Sequence, residues 1–211
     1  KLAAAAGRCW VDVAFWGGAV PSGLHALQPL WDAGVLGFKC FLVDSGVPEL
    51  PALDEDGLER AMGLVASFGG LLLVHAEDPD AVASVPGGSR RHADFLASRP
   101  DSSEVSAVEA VVESARRTGC RAHVVHLSSA RALRVVAAAH AEGVPVTAET
   151  CPHYLALVAE DVPEGATAFK CCPPMRDAAN RELLWAGLVA GTIGSVVSDH
   201  SPCTTDLKAL D

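Results

Sequence analysis

Short apolar runs rich in β-branched residues alternate along the chain with longer stretches of helical period. The runs Trp10–Trp16, Leu36–Leu42, Gly70–His75, Arg121–Leu127, Val144–Glu149 and Ser195–Asp199 read as strands. Stretches at about Gly23–Ala33, Asp54–Phe68, Ser103–Thr118, Ser129–Ala141 and Ala178–Val189 read as helices. Asp54 and Ser129 stand where N-caps belong, and Gly34, Gly119 and Gly143 follow helices as C-terminal stops. The Asp78–Pro100 region, with Pro79, Pro86, Gly87 and Gly88, starts as a long surface excursion, and Gly165–Cys172 reads as loop.

A strict β-α alternation means parallel strands covered by helices, an α/β fold. That leaves a doubly wound sheet or a (β/α) barrel. Polar and ionisable residues collect at the C-terminal ends of several different strands, which is where barrel enzymes keep their active sites. The pattern therefore predicts a partial (β/α)8 TIM-type barrel, a single domain over residues 1–211. Six strand-like runs cannot close an eight-stranded barrel, so two strands are expected to be missing or hidden in loops.

Composition narrows the function classes. Half of the 211 residues are hydrophobic and a fifth are charged, an ordinary globular balance. The net charge of -10, with no basic run, argues against nucleic acid and against anionic membranes as partners. Apolar runs such as Gly70–Val74 are too short to span a bilayer. The seven cysteines are odd in number and include no CxxC pair, which fits free thiols in a reducing, cytoplasmic setting. Lys1–Gly7 is too short for a signal peptide and has no initiator Met, so the chain is expected to begin within a longer protein.

Four residues carry the chemistry. Lys39 stands in the middle of the apolar run Gly37-Phe38-Lys39-Cys40-Phe41. A buried ammonium without a partner lowers its pKa or is chemically modified, and a neutral amine can take up carbon dioxide to give a carbamate that bridges two metal ions. The alternative is a lysine that snorkels to the rim or pairs with a carboxylate. His75 ends one apolar strand and His126 another, and either histidine alone fits a structural role equally well. His123 lies three residues before His126, so alternation on a strand sends the two to opposite faces; His126, at the strand's C-terminal edge, is expected to face the barrel mouth and His123 to point away. Asp199 ends the last strand, where it could bind a metal and accept a proton or simply cap a helix. Together, four metal-competent side chains at the ends of four parallel strands point to a metal site. The segments Glu149–Tyr154 and Cys171–Arg176 add candidate binding elements, although rigid turns would account equally well for His153 and Arg176.

Phe38-Lys39-Cys40-Phe41, Val74-His75-Ala76-Glu77, His126-Leu127-Ser128-Ser129, Glu149-Thr150-Cys151-Pro152-His153-Tyr154 and Cys172-Pro173-Pro174-Met175-Arg176 occur in that order. In this the chain resembles the cyclic-amidohydrolase branch of the amidohydrolase superfamily, which contains allantoinases, hydantoinases or dihydropyrimidinases, and dihydroorotases. The likeness runs from about Val11 to Lys208. Lys39-Cys40, Phe169-Lys170-Cys171 and Ser198-Asp199-His200-Ser201-Pro202-Cys203 resemble the allantoinases in particular. The resemblance implies two divalent metal ions, zinc by preference, bridged by a carboxylated Lys39 and held by His75, His126 and Asp199. It implies a catalytic proton relay by Asp199, substrate binding through the backbone of Cys172, and opening of a cyclic amide by a metal-bridged hydroxide, with allantoin giving allantoate. A small cyclic ureide is the implied partner, and the full-length parent is expected to be a homo-oligomer, a tetramer by family resemblance.

Two departures qualify this picture. The His-x-His pair that the family carries at the end of its first strand does not occur in the sequence, and the chain stops soon after Asp199. A fragment lacking the first two strands and a C-terminal part, inactive by itself, is the expectation. Val43, Asp44 and Ser45 occupy the region where hydantoinase-type relatives place an oxyanion-binding tyrosine; the chain's one tyrosine is Tyr154. The competing readings are a hydantoinase/dihydropyrimidinase or dihydroorotase, and a non-catalytic dihydropyrimidinase-like assembly protein.

Overall fold

A computed structural model describes residues 2–85, 89–201, 204 and 206; Pro86, Gly87 and Gly88 of the excursion, Pro202 and Cys203 of the last motif, and Lys208 lie outside the described residues. In chain order the regular elements are α1 (Leu2–Ala5), β1 (Trp16–Gly18), α2 (Leu27–Asp32), β2 (Gly37–Phe41), α3 (Glu55–Ser67), β3 (Leu71–His75), α4 (His92–Ser98), α5 (Asp101–Thr118), β4 (Arg121–Val124), α6 (Leu133–Ala141), β5 (Val146–Thr150), α7 (Pro152–Ala156), α8 (Ala178–Val189) and β6 (Ser195–Val196).

The six strands form one sheet in the order β1-β2-β3-β4-β5-β6, and every neighbouring pair is parallel. A doubly wound sheet reverses its strand order at a switch point, and this one never does. Uniform winding in chain order is the arrangement of a barrel wall, and it excludes the doubly wound alternative. The register is equally regular: Lys39 stands level with Leu73, Leu73 with His123 and His123 with Thr147. Their neighbours Phe38, Leu72, Ala122 and Val146 point the other way and are buried under the helices. There they meet Ala61, Met62 and Val65 of α3 and Val108, Val111 and Ala115 of α5, so the main apolar core lies between sheet and helices. That leaves the opposite face of the strands to carry the polar side chains.

Local signals explain most boundaries. Asp54 caps α3 by accepting the backbone N–H of Gly57, and Asp177 caps α8 through Asn180. Gly119 closes α5 in the left-handed region at φ 70°. Ser129 corrects the sequence expectation, because it makes no capping bond; its hydroxyl donates instead to Asp101 Oδ1 at 2.5 Å, and the segment opens as a 3-10 turn over Ala130–Ala132 before α6. The stretch expected as one helix at Gly23–Ala33 is a 3-10 helix, Pro21–Ala26, followed by α2. Pro29 has no N–H to give to the carbonyl four residues back, which removes an α-helical bond at that junction.

The strand expected at Trp10–Trp16 is also corrected: only Trp16–Gly18 pairs with β2, and Trp10, Val11 and Val13 are exposed. Periodicity reports apolar spacing, but a strand also needs a backbone neighbour, and the pairing begins only where Phe15 O accepts the Leu36 N–H at 3.1 Å. The second half of the Asp78–Pro100 excursion is not wholly irregular, since it contains α4. Among the described residues no helix is long and apolar enough to cross a membrane.

Close packing of β2 on its neighbours makes a test. A Cβ added at Gly37 would lie 2.6 Å from the carbonyl oxygen of Leu71 and 2.9 Å from the Trp16 ring, whereas one added at Gly63 in α3 meets nothing within 4 Å. Gly37→Ala should therefore destabilise the intact protein by about 1–3 kcal/mol in denaturant unfolding. Gly63→Ala should instead stabilise it by about 0.5–1 kcal/mol, because an exposed helical glycine carries only its entropy cost. A Gly37→Ala midpoint equal to wild type would contradict the strand packing.

Candidate metal centre

The carboxyl ends of the strands open into a cavity of about 910 Å3 whose lining includes Lys39, His75, Cys172 and Asp199. The loop after β2 supplies Val43 to Val47 on one side, and the excursion supplies Val82 to Val85, Phe95 and Arg99 on the other.

Lys39 rises from the middle of β2 into this space. Its Nζ lies 5.0 Å from the centre of the Phe41 ring, and among the described residues no carboxylate is within ion-pair distance of it. Burial pushes its pKa down from the ordinary lysine value, partly opposed by the charge of Asp199. The shift is in the direction of the neutral amine that carbamate formation requires.

His75 and His126 meet directly: His75 Nδ1 lies 3.0 Å from His126 Nε2, and both rings are buried. On its other side His75 Nε2 faces Glu77 Oε2 at 2.7 Å, and Arg99 donates to the same oxygen at 2.5 Å. Burial works against the charge of Glu77, but His75 and Arg99 outweigh it and hold its carboxyl below the usual range. Burial lowers the pKa of His75 despite Glu77, and lowers that of His126 further, with His75 and Lys39 adding to the effect. The consistent protonation pattern is an ionised Glu77 accepting the Nε2–H of a neutral His75, so that the His75 Nδ1 lone pair faces His126. The Nε2–H of His126 then fills the gap, and His126 Nδ1 is left buried with no hydrogen-bond partner.

This geometry fits a metal ion. Two nitrogens bound at about 2.0–2.1 Å to a tetrahedral centre stand about 3.3 Å apart, close to the separation seen. A carboxylate fixing the second nitrogen of a ligand histidine is the usual outer support of such a site. His, Cys, Asp and Glu alone form no cluster of three or more arranged for a metal among the described residues. Lys39 and Asp199 line the same cavity as His75.

The backbone marks the same positions. His126 and Asp199, at φ 42° and 45°, are the non-glycine residues in the left-handed region among those described. Such conformations cost on the order of 1–3 kcal/mol and persist where the surroundings enforce them, commonly at functional sites. The left-handed turn also corrects the expectation for His123. Register places His123 on the same inward face as Lys39, not away from it; its Nδ1 lies 2.7 Å from Thr147 Oγ1 and its Nε2 3.0 Å from Glu149 Oε2. The alternation argument assumed extended chain through His126, but β4 ends at Val124 and the turn after it brings His126 round to His75.

Cys172 is exposed at the cavity edge and precedes a cis peptide bond to Pro173. Tyr154 is buried and donates its hydroxyl to the Pro173 carbonyl at 2.7 Å, so it holds this loop rather than facing a substrate. Ser45, where hydantoinase-type relatives were expected to place a tyrosine, donates to Leu50 O. Arg176 is buried against Glu104. The roles of Glu77, Arg99 and Glu104 were missed in the sequence. Glu77 was quoted within the motif Val74-His75-Ala76-Glu77 but given no role, and Arg99 and Glu104 gave no signal.

No family model matches the chain. Among curated proteins it is 56% identical over 212 residues to an allantoinase of Streptomyces avermitilis, covering all of this chain and 48% of that protein. It is 49% identical over 216 residues to an allantoinase of Saccharomyces cerevisiae, covering 47% of it, and 49% identical over 211 residues to a mitochondrial allantoinase of Aquarana catesbeiana, covering 44%. Among solved structures, a D-hydantoinase from Bacillus sp. AR9 superposes with a TM-score of 0.85 at 29% identity over 97% of this chain and 48% of that one. An L-hydantoinase (dihydropyrimidinase) from Arthrobacter aurescens gives 0.83 at 30% identity over 90% and 43%. The chain thus spans about half the length of the relatives it matches. Over that span it is similar in sequence to allantoinases and in fold to hydantoinases.

Proposed function

We propose that the protein opens a cyclic amide ring by hydrolysis and that its substrate is allantoin, released as allantoate. The observation that carries this reading is the His75 Nδ1–His126 Nε2 contact beside a partly buried Lys39, on one cavity with Asp199, in a chain so similar to allantoinases. Lys39, as a carbamate, with His75, His126 and Asp199 would hold two divalent ions, zinc by preference. When bound, such a pair polarises the ring carbonyl and makes hydroxide accessible at neutral pH.

The chain's own groups then divide the work. The neutral amine of Lys39 attacks carbon dioxide and loses a proton, which leaves an anion with two donor oxygens. Glu77, braced by Arg99, fixes the His75 ring so that Nδ1 points inward. Backbone groups of Cys172 hold the substrate amide at the cavity edge. The Asp199 carboxylate takes a proton from the attacking water and gives it to the ring nitrogen as the C–N bond breaks, so one water is consumed and a ureido carboxylate leaves. The reading includes a homo-oligomer and a cytoplasmic location.

Substrate profiling of the intact protein decides between rings: allantoin should be preferred to dihydroorotate and to simple hydantoins by about a hundredfold in kcat/KM. A hydantoin preference would move the protein to the hydantoinases, and no turnover of any ring with metal bound would favour an assembly protein. For Lys39→Ala, loss of both metal content and activity is expected, with partial return of both on adding a small carboxylic acid that supplies two oxygens in the vacated space. Unchanged metal stoichiometry in Lys39→Ala would end the bridging role.

A further inference from the structure

Behind the cavity, one carboxylate ties together the two loops that the proposed reaction must keep in register. Glu104, in the first turn of α5, is buried, and its Oε1 accepts the backbone N–H groups of Ser128 and Ser129 at 2.9 and 3.1 Å. Its Oε2 accepts from Arg176 at 2.6 Å through Nη2 and 3.2 Å through Nε. The first pair of bonds fixes the chain just after His126; the second fixes the chain just after Cys172-Pro173-Pro174.

Other bonds close the frame. Ser128 Oγ donates to Pro174 O at 2.5 Å, joining the two loops directly. Arg176 Nη1 donates to Arg99 O at 3.3 Å, and Asp101 Oδ1 lies 3.2 Å from Arg176 Nε while accepting the Ser129 hydroxyl. Asn180, from α8, accepts the N–H of Ala130 at 2.7 Å and donates to Ser128 O at 2.8 Å. Residues 128 to 130 therefore have their backbone groups held from α5 and α8, which is how a left-handed His126 can be enforced.

We propose that the buried Glu104–Arg176 pair is a positioning device that sets the Cys172 substrate loop against the His126 ligand loop. Neither residue lines the cavity, so neither is a catalytic residue. Arg176 spans the gap because a planar guanidinium can engage two carboxylates and a carbonyl at once; the single ammonium of lysine cannot reproduce that fork. The inference rests on the proposed ring-opening reaction for its kinetic consequence, but the coupling of the two loops is a property of the fold alone.

The test uses Arg176→Lys, Glu104→Gln and the double variant in the intact protein. Hydrogen exchange is followed on peptides covering residues 126–130 and 171–176, alongside zinc content, thermal stability and steady-state kinetics on allantoin. Both single variants should speed exchange in both segments together while β2 and β3 stay protected. They should raise KM about tenfold with a smaller change in kcat, since a displaced binding loop costs orientation first. The double variant should be no worse than either single one, as for two members of one contact.

Faster exchange in only one segment, a uniform rise across the fold, or an unmoved KM with lowered melting temperature would overturn the proposal. If Glu104→Gln does not fold, Ser128→Ala carries the test: it removes only the bond to Pro174, and it should loosen residues 171–176 and raise KM. Normal KM in Ser128→Ala would count against the coupling. Should the wild-type protein open no cyclic amide, the proposed function fails, while the exchange results still decide whether the pair couples the loops.

Discussion

The contact between the buried imidazoles of His75 and His126 sets the demand that the surrounding structure meets. Two ring nitrogens facing each other at 3.0 Å need either a shared proton or a cation between them. Glu77 and Arg99 settle the tautomer of one ring, and a left-handed backbone residue brings in the other. Neither support is free. A carboxylate with no solvent exposure loses its hydration, and a non-glycine residue at positive φ costs on the order of 1–3 kcal/mol. Both lie just past strand ends, Glu77 after β3 and His126 after β4.

Strand geometry does the rest of the placement. Six parallel strands wound in chain order bring all their carboxyl ends to one side. A lysine in the middle of β2 and a histidine at the end of β3 then face one cavity, although 36 positions separate residues 39 and 75 in the sequence. The same sidedness gathers the loops that shape the cavity wall, including the excursion that carries Arg99. Fold and site are in this sense one fact: any sequence that winds this way presents strand-end residues together, and chemistry follows from which residues stand there.

Much of this was legible in the residues. The helices α3, α5 and α8 follow from period and caps, with Asp54 and Gly119 acting as the sequence implied, and β-α alternation sufficed for the parallel sheet. Lys39, His75 and Asp199 could be picked out because each is a polar residue in or at the end of an apolar run. Three kinds of information were not in the pattern. Whether Trp10–Trp16 finds a pairing partner is a tertiary matter. The facing of His123 and His126 depended on a single left-handed residue, which alternation cannot foresee. The burial of Glu77, Glu104 and Arg176 is invisible because charged residues normally mark surface, and only assembled neighbours show that these are paired inside.

Anomalous X-ray diffraction from crystals of the intact protein grown with zinc measures the central arrangement most directly. The account predicts an anomalous peak between His75 Nδ1 and His126 Nε2, about 2.0–2.1 Å from each, with continuous density extending from Lys39 Nζ toward it. Crystals replete with zinc in which the two imidazoles still hydrogen-bond to each other, Lys39 ends in a bare amine and the metal lies elsewhere would contradict it.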